Sequence, residues 1–256
     1  MEEVNQTEIK NKSKIPTLEE YIPTKAEKVL GIISFIICII NMALNIVLLK
    51  IMPEDTANTE EIMENLPLAL AILAISLLSI VLMIAMFIIP TISMKGKIKR
   101  DTKAFKANFK VYIKYLLPRL IFVYVVFTLS FTLINLLNNT ETSNNQAMLE
   151  GMPVFITIPL AIFYGPFIEE FLFRGILRRY IKKSTWLFVI VSGVLFGLTH
   201  TIGVETTFVA TVLQTIPYAI MGGCLAYIYA KSDNMWNNII IHFVNNLIAI
   251  IAMIAM

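Results

Sequence analysis

Residues 167–175 read FIEEFLFRG. Two glutamates and an arginine stand within a run that is otherwise mostly apolar. Charges in such surroundings are tolerated on a helix, whose backbone satisfies its own hydrogen bonds, and on a face turned toward other protein or a wet cavity. The rest of the chain decides what kind of helix this is. It is 57% hydrophobic and 15% charged, with a mean hydropathy of +0.74. Soluble domains carry about a quarter charged residues. The composition therefore predicts an all-α polytopic membrane bundle. The net charge of +3 is small, and the basic residues flank apolar runs without any groove-reading motif, which excludes a nucleic-acid partner. Cys38 and Cys224 both lie in apolar segments and suggest core or lipid-facing residues rather than a disulfide.

A spanning helix needs about 20 predominantly apolar residues. Seven runs qualify, with six to eight spans compatible with the pattern: Val29–Ile51, Pro67–Ile89 ending at Pro90, Tyr115–Leu137, Met152 to about Leu177, Thr185–Thr201, Thr206–Ala230 and Trp236–Met256. Pro159 and the pair Gly165-Pro166 are candidate breaks in the fourth, and Pro217 a candidate kink in the sixth. Residues 1–28 read as a mobile polar tail, 29–256 as one transmembrane domain.

Lys and Arg set the expected orientation. The stretch Lys95–Lys114 reads as a strongly basic cytoplasmic loop, solvated or lying as a helix on the membrane surface. Seven spans put the amino terminus, the Arg178–Lys183 turn and Lys231 on that same side. The loops Pro53–Leu66, Asn138–Gly151 and Ile202–Glu205 contain no Lys or Arg and fall opposite, with the carboxyl terminus. Lys50, near the other end of the first run, can snorkel to the interface.

Within the opening stretch, Glu170 and Arg174 are at i and i+4 and share a helix face in the favourable order. Glu169 lies about 100° around the helix and is left to point elsewhere. The chain has two histidines. His200 closes FGLTH, one turn after Phe196. His242 opens HFVNN, one turn before Asn246. The helix rise puts Glu169 about 15 Å from the basic boundary at Arg179, His200 about 22 Å from Thr185, and His242 and Asn246 about 12 and 18 Å from Asn234. All four then meet in one layer within the membrane. A carboxylate and an imidazole can bind and activate one water, and a second imidazole with a carboxamide can receive an oxyanion. That inventory fits amide hydrolysis. GxSxG and HExxH are both missing.

The ordered motifs Glu169-Glu170-x-x-x-Arg174, Phe196-x-x-x-His200 and His242-x-x-x-Asn246 resemble those of the CPBP family, the CAAX proteases and bacteriocin-processing (Abi) enzymes, which includes the Ras-converting CAAX endopeptidases. The resemblance covers residues 152–256. It implies a membrane-embedded glutamate-type endopeptidase with Glu169 as general base and His200 helping to hold the water. His242 and Asn246 would form the oxyanion hole, Glu170 and Arg174 a supporting pair, and Phe196 a packing residue. About eight spans are expected from the family, against seven counted here.

The implied partners are a peptide or protein substrate, lipid-modified in the family's best-known case, and membrane lipids. No cofactor is expected. A zinc-dependent variant, with two histidines and a glutamate as ligands, is one alternative. A non-catalytic scaffold or regulator of the same fold is a second, and a transporter is the reading from hydropathy alone.

Overall fold

The computed structural model describes residues 15–52, 65–138, 154–201 and 207–254, all helical apart from short connections and without a strand among them. The helices are α1 (Lys25–Ile51), α2 (Leu66–Ala107), α3 (Phe109–Asn138), α4 (an unbroken helical stretch over 154–180), α5 (Thr185–Thr201), α6 (Phe208–Ser232) and α7 (Met235–Ile254). They follow the order of the seven apolar runs. Five of them, α1, α2, α3, α6 and α7, are long and apolar enough to cross a membrane, and α5 is a shorter apolar helix. The protein is an all-α, multi-pass integral membrane bundle. The loops expected to lack Lys and Arg, and the start of the fourth run at Met152, lie outside the described residues apart from their margins.

Two boundaries differ from the hydropathy reading. α1 begins at Lys25, because Thr24 and Glu27 form a reciprocal capping box. The Thr24 hydroxyl accepts from the Glu27 amide at 3.2 Å, and a Glu27 carboxylate oxygen accepts from the Thr24 amide at 2.8 Å. Residues 25–28 thus belong to a helix and not to a tail. Before it, Lys182 pairs with Glu20 at 2.7 Å.

α2 continues through Pro90 for 42 residues. A proline removes one N–H and leaves the turns on either side free to continue, so the expected end at Pro90 does not occur. The stretch read as a basic loop is therefore mostly helix, interrupted at Asn108. Lys95, Lys99, Lys103 and Lys106 are exposed on one face. Lys97, on another face, is only 5% exposed, which corrects its reading as a solvated charge.

The chain divides into two compact units, Thr24–Ser93 and a larger one comprising Met94–Met256 and the residues before Thr24; hydropathy drew no such line within 29–256. In the smaller unit the Ser93 hydroxyl donates to the Glu27 carbonyl at 2.7 Å, joining α2 to the start of α1. In the larger unit α6 packs against α5, α3 and α7. The α5–α6 contact is backbone to backbone. A Cβ on Gly193 would stand 2.7 Å from the Ala219 carbonyl oxygen, and one on Gly197 2.8 Å from that of Thr215. Small residues four apart let membrane helices approach this closely. The Ser192 hydroxyl, donating to the Phe173 carbonyl at 3.1 Å, ties α5 to α4.

This contact makes a prediction. Gly193→Leu is expected to destabilise the larger unit by about 1–3 kcal/mol, the range for overpacking, read as a lowered thermal unfolding midpoint in detergent. An unchanged midpoint would contradict the packing described.

Candidate active site

α4 was expected to break at Pro159 or at Gly165-Pro166. It stays helical but changes its winding, with π-helical segments at Leu160–Tyr164 and Glu170–Ile176. The first has a direct chemical cause. The Gly165 amide donates to the Leu160 carbonyl, five residues back. Continuing that pattern, the Ala161 carbonyl would need an amide proton from residue 166, and Pro166 has none. The Asn246 carboxamide of α7 donates to the Ala161 carbonyl instead, at 2.9 Å. The sequence Gly165-Pro166 thereby fixes where Asn246 sits. Such π segments occur often at functional sites.

The second π segment carries Glu170 and Arg174, both fully buried. They pair at 3.1 Å. Glu170 also accepts hydrogen bonds from His242 Nδ1 at 2.9 Å and from Asn238 Nδ2 at 3.1 Å. Arg174 donates to the Gly222 carbonyl at 3.0 Å and lies over the Phe196 ring, 4.7 Å from its centroid. A Cβ at Gly222 would come within 2.7 Å of the Phe196 Cβ, so glycine is what admits that ring. Phe196 also contacts the His200 ring at 4.4 Å and the His242 ring at 5.6 Å.

Glu169 stands outside this pair. Its side chain is 25% exposed. Its Oε1 lies 3.9 Å from His200 Nε2 and its Oε2 3.6 Å from His242 Nε2. Both separations exceed direct hydrogen-bonding range, and Oε2 has no hydrogen-bond partner among the described residues. A Cβ on Gly165 would lie 3.5 Å from Oε1, in ordinary contact with it.

Both imidazoles are held by their other nitrogen. His200 Nδ1 bonds to the Phe196 carbonyl at 2.7 Å, and its ring stacks on Tyr218 with centroids 4.7 Å apart. A carbonyl only accepts, so Nδ1 carries the proton. His242 Nδ1 donates to Glu170, which Arg174 keeps as an acceptor. The structure thus gathers Glu169, His200 and His242 around one point, with Glu170, Arg174 and Phe196 behind them. Asn246 is held one helical turn beyond His242. Among the described residues no three His, Cys, Asp or Glu side chains are grouped so as to hold a metal ion.

Two supporting residues escaped the sequence reading. Asn238, fully buried, donates to Glu170 and also to the Leu225 carbonyl at 2.6 Å. Its signal was present in the four-residue spacing Asn234, Asn238, His242, Asn246 along one helix. Tyr218 carried no local signal, because its helix meets His200 only in the fold.

Comparison with known proteins bears on the same region. Residues 151–248 match the model of the family described as "Type II CAAX prenyl endopeptidase Rce1-like". The chain is 29% identical over 116 residues to the Bacillus subtilis (strain 168) protein named "Putative membrane peptidase YdiL". Both likenesses support a CPBP-like segment over residues 151–248. The aligned part is 43% of this chain and 43% of the Bacillus protein, so the chain spans less than half of that relative's length. No solved structure matches. The CPBP match begins just before α4 and ends within α7, and it encloses every residue of the carboxylate–imidazole cluster.

The two adjacent glutamates of this CPBP-like segment should differ sharply in their effect on stability. Glu170→Ala leaves a buried guanidinium without its carboxylate and is expected to cost about 3–5 kcal/mol. Glu169→Ala removes no direct hydrogen bond and is expected to cost less than about 1 kcal/mol. Unfolding of both variants in detergent measures the contrast; equal losses would contradict it.

Proposed function

We propose that this region is an intramembrane endopeptidase that hydrolyses a peptide bond in a membrane-associated or prenylated CAAX-type peptide, using a water activated by Glu169. The observation that carries the reading is the convergence of two imidazole Nε2 atoms on one carboxylate, at 3.9 and 3.6 Å, with each Nδ1 already engaged.

The chemistry follows from the donors and acceptors. With its proton on Nδ1, His200 presents Nε2 as an acceptor and orients the water through one of its protons. Glu169 takes the other proton as the water oxygen attacks the carbonyl carbon. The oxyanion is received by His242 and by Asn246, whose carboxamide has a second N–H beyond the one given to Ala161. Because His242 Nδ1 donates to Glu170, its Nε2 acts as a donor in the imidazolium form. When the tetrahedral intermediate collapses, the C–N bond breaks and Glu169 returns its proton to the departing nitrogen. Glu170 and Arg174 hold the second imidazole without touching the substrate. The reaction as written needs no metal. The lysine-rich end of α2 and the amino terminus face the cytosol in this reading, and the carboxyl terminus the opposite side.

The test compares membrane peptidomes of cells carrying the parent chain or Glu169→Ala at equal abundance. A precursor that accumulates with the variant supports the peptidase and names its substrate. No difference under any growth condition would favour a non-catalytic scaffold or regulator. Cleavage of that precursor by purified protein should withstand chelation. Loss of activity restored by zinc would replace the metal-free reading with the zinc-dependent variant.

A further inference from the structure

Four residues near the end of α2 grip four consecutive residues at the α6–α7 turn. Lys97 Nζ donates to the Asp233 carboxylate at 2.8 Å and to its carbonyl at 3.0 Å. Arg100 donates to the same carbonyl at 2.7 Å. Asp101 accepts the Met235 amide on its Oδ2 at 2.9 Å, and its carbonyl accepts the Asn234 carboxamide at 3.1 Å. The Thr102 hydroxyl accepts Trp236 Nε1 at 2.8 Å. Asp101 and Asn234 are fully buried. Asp101 is charge-balanced by Arg100 at 2.7 Å and Lys97 at 3.4 Å.

The arrangement completes a helix cap. The first amides of a helix have no partner within it. Asn234, just before α7, accepts the Trp236 amide at 3.0 Å through its own side chain. The Met235 amide, the first of α7, is taken by a carboxylate from another helix. The turn itself is tight: Asp233 closes α6 in the left-handed region, with φ of 44°. The start of α7 is therefore set by α2, a helix that supplies no residue to the carboxylate–imidazole cluster.

α7 carries His242 and Asn246. Met235 and His242 are seven residues apart, about 10 Å along a helix, and a helix passes a slide or rotation at its first turn on to residues two turns later. Further along, α7 is held by the bonds of Asn238, His242 and Asn246, which belong to the cluster or adjoin it. We propose that Asp101 is a positioning residue, whose cap in trans sets the height and rotation of α7 and so the aim of His242 at Glu169. This rests on the proposed peptidase only in calling that aim catalytic.

The presence of only two histidines in the chain makes a direct test possible. Imidazole ¹⁵N labelling of the full chain in micelles gives two sets of ring resonances, assigned with His200→Gln. Asp101→Asn, nearly the same shape without the charge, is expected to shift or split the His242 resonances and leave those of His200, on α5, in place. Thr102→Val, which removes the acceptor of Trp236 Nε1 and leaves the Trp236 ring against Phe167, should give a smaller effect of the same kind, and it carries the test if Asp101→Asn does not fold. His242 resonances that do not move in the folded variants would overturn the proposal. Both histidines moving together would also overturn it, since that marks general loosening. On a precursor identified through Glu169→Ala, kcat should fall on the order of 10- to 100-fold with KM little changed. If Glu169→Ala causes no accumulation, the peptidase reading fails, and the resonances still decide the role of Asp101.

Discussion

A buried arginine is the constraint on which the larger unit depends. Arg174 has no exposure, and a guanidinium in that position has to be met by acceptors and a countercharge. Glu170 supplies the charge, the Gly222 carbonyl an acceptor, and the Phe196 ring an electron-rich face. These partners come from α4, α6 and α5. By balancing the charge of one cation, the chain brings three helices together. Glu170 then has acceptor capacity left for α7, through His242 and Asn238. The ion pair is thus the joint at which the four helices carrying the cluster meet.

The same constraint divides two adjacent carboxylates. Glu170 is consumed by structural partners. Glu169, one residue earlier on the helix, faces two imidazoles at distances too long for direct bonds. Neighbouring residues of the same type thereby acquire different surroundings through the helical angle between them. The π segments refine this division. Pro166 cannot supply an amide proton, so the Ala161 carbonyl takes one from Asn246, and a backbone irregularity becomes a positioning device for a side chain on another helix.

Much of this was legible in the sequence. The seven helices follow from apolar length, the Glu170–Arg174 pair from four-residue spacing, and the meeting of Glu169 with both histidines from counting rise along three helices. What was missed has physical reasons. Hydropathy set the start of α1 at Val29, although the Thr24–Glu27 capping box lay just upstream. Pro90 looked like a stop because its effect on one hydrogen bond was read as an effect on the helix. The winding of α4 depends on which carbonyls find donors elsewhere, which a 3.6-residue period does not contain. Lys97 looked solvated because its partner Asp233 is 136 residues away, and the Asp101 cap on Met235 spans a similar distance. Long-range polar contacts of this kind leave no trace in local pattern.

The central claim is that Glu169 acts as a base while Glu170 holds the site together. It is tested most directly by Glu169→Gln in purified protein, since glutamine keeps the size and hydrogen-bonding reach of glutamate and lacks only its basicity. The account predicts that cleavage of the identified precursor falls by about 10²- to 10⁴-fold, the share general-base catalysis commonly supplies, while thermal unfolding stays at the parent value. A variant that cuts at the parent rate would contradict it.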